Sequence, residues 1–145
     1  MLSRTAEYLY WISRYMERAE TTARLLDVGY RMSLFPNPSG YNNEWESVLS
    51  AAGAIEGYKN KYDTIEQKNV EDYLFFDESN PSSVYNCILN ARNNALVVRT
   101  SFTPESWLAI NKTYQEILNL KEKKFTKSDL PDLTEWTIEQ VNLFR

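Results

Sequence analysis

From Leu2 to about Leu34 apolar and polar residues alternate with a period close to that of an α-helix, with no proline and with the first glycine at Gly29. On a wheel of 3.6 residues per turn, Tyr8, Ile12, Tyr15, Ala19, Ala23, Leu26 and Tyr30 share one apolar face. Glu7, Trp11, Arg14 and Arg18 form a stripe along the edge of that face, a placement that argues against full solvation. Glu17, Glu20, Arg24, Asp27 and Arg31 fall on the side away from it. The pattern predicts one long N-terminal helix, capped by Ser3 and about 48 Å long.

The run Phe35-Pro36-Asn37-Pro38-Ser39-Gly40 ends that helix. Trp45, Val48, Leu49 and Ala52 predict a second helix from near Asn43 that fades around Gly57. Ile65, Val70, Tyr73 and Leu74 predict a third from about Thr64 to Phe76, with Thr64 as its cap. Asn80-Pro81 and Thr103-Pro104-Glu105 each place a good N-cap before a proline suited to the first helical turn. The helices they open are expected over about 81–100 and 104–123. A charged connector, Lys121 to Lys127, leads to a last helix opening near Thr134. No strand pattern of alternating residues occurs. The expected fold is all-α, a bundle of about six helices in a single domain over 1–145.

Composition narrows the chemistry. The chain has no histidine and a single cysteine, Cys87. Imidazole metal ligands, histidine bases and an intrachain disulfide are therefore excluded, and metal and cofactor sites are expected to be absent. Cys87, in an apolar helical run, is expected to be a small core residue, and Asp72, Asp77 and Glu78 a solvated helix end. The formal charge of −4 argues against nucleic-acid binding. No glycine-rich phosphate loop is present. No stretch approaches a membrane span and no leader is recognisable, so the expectation is a cytoplasmic protein without membrane contact. Ten Tyr, six Phe and four Trp supply aromatic surface suited to helix interfaces and to partners.

Two groups of charges are candidate functional residues. Arg14 and Arg18 lie one helical turn apart and repel unless an acid or an anion sits between them, while Glu17 is within reach of Arg14. Arg92 and Arg99, seven apart and expected on one helix, lie near Asn94 and the small Ala91 and Ala95, which permit close helix approach. One reading is a polar seam in which Arg92 and Arg99 neutralise Glu7 and Glu17. The other is an anion site in which guanidinium forks hold a carboxylate or phosphate and Trp11 walls the pocket. A third is an enzyme with Glu17 as general acid/base and Arg18 stabilising developing negative charge.

Leu2-Ser3-Arg4-Thr5-Ala6-Glu7, Leu9-Tyr10-Trp11, Arg14-Tyr15-Met16-Glu17-Arg18-Ala19-Glu20 and Ala23-Arg24-Leu25-Leu26 resemble the opening of the bacterial alpha-E proteins, all-helical and named for a Glu-Arg motif. The likeness continues in Asn80-Pro81-Ser82-Ser83, Ala91-Arg92-Asn93-Asn94-Ala95, Arg99, Glu105-Ser106-Trp107 and Asn111. Tyr8 and Ser13 stand where the family usually has asparagine and glycine. Asn93 and Leu96 replace what are commonly glutamate and arginine. Family members are usually about twice as long, so the chain resembles a first half, completed by a second-half partner or a homo-oligomer, or else a truncated remnant. The resemblance implies an accessory role beside an ATP-grasp ligase and a transglutaminase-like protein, in a system acting on amide bonds of a peptide. It adds Arg4 to the binding candidates Glu7, Trp11, Arg14, Arg18, Arg92, Asn94 and Arg99, with a peptide or small anion as ligand.

Overall fold

A helix without an interior breaker extends until its caps or its partners stop it, and α1 (Leu2–Ser33) does so over 32 residues. It already includes Ser3, which therefore lies inside the helix and does not cap it. The computed structural model describes residues 2–34, 43–123 and 130–144. The expected break at Phe35–Gly40 and the connector beyond Lys123 lie outside them. The other helices are α2 (Asn43–Ala51), α3 (Ile55–Lys61), α4 (Gln67–Phe75), α5 (Val84–Val97), α6 (Pro104–Lys123) and α7 (Leu130–Phe144). The described residues thus form seven helices and no strand, an all-α fold as expected, with one helix more than the pattern suggested.

The extra helix arises at Gly53, whose φ of 68° is open to glycine at little cost. There the amide of Ala54 donates to Leu49 and that of Gly53 to Ser50, the paired reverse bonds that close a helix C-terminus. The single helix expected over 43–57 is thereby split into α2 and α3. Thr64 caps nothing: its carbonyl accepts the Tyr58 hydroxyl at 2.6 Å, and the same hydroxyl accepts the Glu66 amide at 3.3 Å. That tether holds the chain out of helix until α4 opens at Gln67.

The start expected at Asn80-Pro81 is displaced to Val84. Asn80 is buried; its side-chain amide donates to the Tyr73 carbonyl at 2.9 Å and its Oδ1 accepts the Ser82 amide. With Asn80 so engaged, Ser83 becomes the cap and accepts the Asn86 amide at 3.1 Å. At the far end, Val98 leaves helical backbone and a 3-10 turn takes Arg99–Ser101, so α5 stops short of Thr100. Thr103 caps α6 as expected, accepting from the Ser106 amide. Helix α7 starts at Leu130, four residues early, and Thr134 is buried within it, donating to the Ala23 carbonyl of α1.

Helix α1 packs chiefly on α5 and α7, α5 on α6, and α6 on α7, closing a ring of four. Two buried clusters fix the directions. One contains Ile12, Met16, Ala91, Ala95, Val98, Ile110 and Val141. The other holds Ala19, Ala23 and Leu26 with Val84, Ile88, Ile117 and Leu133. Reading from one cluster to the other, the four helices run up, down, up and down. Helices α2, α3 and α4 add Trp45, Leu49, Tyr58, Val70 and Leu74 to the second cluster and close that end of the bundle. None of the described helices is long and apolar enough to cross a membrane.

Candidate functional site

The apolar face of α1 is close to expectation but turned slightly. Ile12, Met16, Ala19, Ala23 and Leu26 are buried, whereas Tyr8, Tyr15 and Tyr30 lie half-buried along its margins. Glu20 and Asp27, expected on the far side, occupy the opposite margin with side chains 17% and 20% exposed, and pair with Arg24 and Arg31. The stripe Glu7-Trp11-Arg14-Arg18 emerges as an exposed ridge beside α5. Its side chains are open to solvent, contrary to the expectation from its position at the core's edge.

Because α1 and α5 are antiparallel, the N-terminal half of that ridge faces the C-terminal half of α5. Arg4, Glu7, Tyr8, Trp11 and Tyr15 of α1 and Asn94 of α5 line a groove of about 340 Å³. A second hollow, of about 390 Å³, continues it past Ser3, Arg4, Thr5 and Tyr8 to Val97 and Val98. Trp11 is 42% exposed and is held edge-on to Tyr10 and tilted against Tyr15, at ring separations of 5.4 and 6.0 Å. Large aromatic surface is thereby kept facing water, beside a guanidinium, a carboxylate and an amide.

The charges differ in how they are engaged. Arg14 and Glu17 pair at 3.8 Å with both side chains more than half exposed, a weak contact by geometry and solvation. Among the described residues Arg4, Glu7, Arg18 and Arg99 form no ion pair. Arg18 lies near enough to Cys87 for its charge to favour the thiolate, but burial dominates and pushes the thiol up to about 12. Cys87 is free and buried, a core residue without nucleophilic character at neutral pH.

Sequence spacing put Arg92 and Arg99 on one helical face; the structure separates them. Arg99 sits exposed in the 3-10 turn beyond α5. Arg92 points from α5 to α6, its guanidinium carbon 6.0 Å from the ring centre of Trp107 and 5.0 Å from that of Tyr114. Of the candidates, Arg4, Glu7, Trp11 and Asn94 meet in the groove, and Arg14, Glu17 and Arg18 continue along α1. Arg92 belongs to a different seam. Spacing did not single out Tyr8, Tyr15, Val97 and Val98 as groove residues, because their apolar character assigns them to the core.

Asp77, expected at a solvated helix end, is instead buried at its side chain and paired with Lys61. It also accepts from the Ser79 amide and hydroxyl. Burial alone would raise its pKa, but the bonds from Lys61 and Ser79 prevail and hold the carboxyl below its usual range. Among the described residues no three His, Cys, Asp or Glu side chains gather as a metal cage.

The groove offers recognition groups: a guanidinium fork, a carboxylate, an amide and aromatic walls. The chain's one Glu-Arg dipeptide, Glu17-Arg18, stands on the exposed side of α1. A family model described as a predicted alpha-helical domain with a conserved ER motif matches residues 1–145. No curated protein and no solved structure matches the chain.

Proposed function

The chain belongs to the Alpha-E family, and on that premise we propose that it is a non-catalytic binding component of a system that builds or trims amide bonds on a peptide, working beside an ATP-grasp ligase and a transglutaminase-like protein. The α1–α5 groove holds a peptide or small anionic ligand, with Arg4 and Arg18 supplying positive charge and Trp11 a stacking wall.

The observation that carries this reading is the exposure of the family's motif. A surface Glu-Arg pair that contributes little packing is better explained by what it meets than by what it holds together. Arg18 shares its face of α1 with an exposed tryptophan, and the groove adds Arg4; among the described residues neither arginine forms an ion pair. Charge-assisted bonds from guanidinium to carboxylate or phosphate are the strong recognition contacts available to such a set.

The test is titration of the purified chain with a short acidic peptide and with inorganic phosphate, followed by calorimetry at low and high salt. Replacing Arg4 or Arg18 by Gln is expected to weaken binding by about tenfold or more, and Trp11→Ala to weaken the peptide preferentially. Equal binding by parent and variants would remove the ridge from the reading. Co-expression with an ATP-grasp ligase encoded beside the gene, scored by stable co-purification, tests the accessory role separately.

A further inference from the structure

We propose that α5 and α6 carry a second binding site, for a ligand edge on which an N–H stands beside a C=O, built from Arg92 and Asn111 between the rings of Trp107 and Tyr114. It is distinct from the α1–α5 groove and does not depend on that groove's ligand.

Trp107, Asn111 and Tyr114 follow one another at single-turn spacing on α6 and so share the side that meets α5. Arg92 lies over the two rings, contacts that fix a long side chain by cation–π attraction. Two polar atoms at this seam are buried and have no hydrogen-bond partner: Arg92 Nε and Asn111 Oδ1. Buried polar atoms in folded proteins are nearly always bonded, so two exceptions on helices that pack together call for an explanation.

Their chemistry is complementary. Arg92 Nε–H can only donate and Asn111 Oδ1 can only accept, yet they do not bond to each other. The group that completes both must accept at one atom and donate at a neighbouring one. A carboxylate fails this requirement, since it only accepts and would face the Asn111 oxygen. A residue in an extended peptide meets it, because its own N–H and C=O point to the same side. A primary carboxamide meets it as well. Arg92, immobilised on the rings, loses little further freedom when such a group arrives.

The experiment follows the Arg92 Nε–H and Trp107 indole signals by NMR while the full chain is titrated with three probes. These are N-acetylalanine N-methylamide, acetamide and acetate. A saturable shift with either amide supports the site. A shift with the first alone identifies an extended peptide edge, and with acetamide alone a primary carboxamide. Asn111→Leu removes the orphan acceptor without leaving a gap, so the variant is expected to fold at least as well and to bind about tenfold more weakly. Arg92→Lys keeps the charge but not the planar fork and should weaken binding similarly, whereas Lys59→Gln, at an exposed position of α3, should leave it unchanged. A shift with acetate alone would overturn the assignment. No saturable shift with any probe would also overturn it.

Discussion

Replacing Gly29 by alanine sets two known effects against each other. In a helix interior alanine is favoured over glycine by about 1 kcal/mol, and Gly29 lies within α1. A Cβ there would stand 2.7 Å from Cζ3 and 3.0 Å from Cε3 of Trp45, and 2.9 Å from Cγ2 of Val48. Carbon atoms pack at roughly 3.5–4.0 Å, so these approaches are too close by roughly 0.5–1 Å. Neither neighbour can swing into solvent, since Trp45 is 1% and Val48 5% exposed. Overpacking of this kind costs about 1–3 kcal/mol. Set against the gain in helix propensity, Gly29→Ala is expected to destabilise the chain by up to about 2 kcal/mol and to lower its melting temperature by up to roughly 8 °C. Thermal unfolding followed by circular dichroism, with urea titration for the free energy, measures both. The steric origin is isolated by repeating the substitution in a Trp45→Leu background. There the Trp45 ring is gone and only Val48 still presses on the site, so the cost of alanine should shrink, a coupling that a double-mutant cycle reads directly. A parent chain stabilised by Gly29→Ala would refute the argument, because it would mean that α2 does not press on α1 at this point.

Other perturbations address the charges and the thiol. Glu17→Gln and Arg18→Met should each change stability by less than about 1 kcal/mol, as expected for exposed groups; a loss of about 3 kcal/mol in denaturant titration would mean that the motif is buried in a structural contact. Asp77→Asn should cost about 1–2 kcal/mol, part of the loss being discounted because Lys61 is half exposed. The folded carboxyl of Asp77 titrates below its unfolded value of about 3.9, so its stabilisation is complete above that pH and fades as pH falls through the folded value. The Asn variant should therefore show a shallower loss of stability in acid, measured as melting temperature between about pH 2 and 6. Cys87, with its thiol pushed up to about 12, should resist a thiol reagent at pH 8 until the chain opens, so its labelling rate should rise in step with urea-induced unfolding; fast labelling of the native chain would place it at the surface.

Features governed by neighbouring residues were legible in the sequence. Thr103-Pro104-Glu105 opens α6 because its cap acts within one turn, and the charged ridge of α1 is readable because a long helix keeps its phase. The errors occur where distant residues intervene. Asn80 has the chemistry of an N-cap, but the Tyr73 carbonyl captures its amide and Ser83 takes over the capping role. The Tyr58 hydroxyl holds Thr64 through its carbonyl, which spacing along the chain cannot disclose. Gly53 is a local breaker, but the helical spacing of Trp45, Val48, Leu49 and Ala52 runs up to it and does not disclose that a separate helix restarts at Ile55. Arg92 and Arg99 shared a face only on the assumption that α5 continued to Thr100. Once Val98 leaves helical geometry that assumption fails, and the candidate cluster divides between two seams.

The bond from Thr134 to the Ala23 carbonyl joins residues 111 apart, and it has a consequence in time as well as in space. Helix α1 is synthesised before the partners that cover its two flanks, and α5 and α7 follow it much later. At about 5–20 residues per second, α1 waits several seconds or longer for the second of them. During that wait Ile12, Met16, Ala23 and Leu26 have no lasting cover, and closing the ring requires contacts of long sequence separation, which form slowly. The same order makes α7 a latch: a premature stop before Leu130 would leave α1 with an open flank, and the nascent chain would be a substrate for chaperones or for aggregation before it was a bundle.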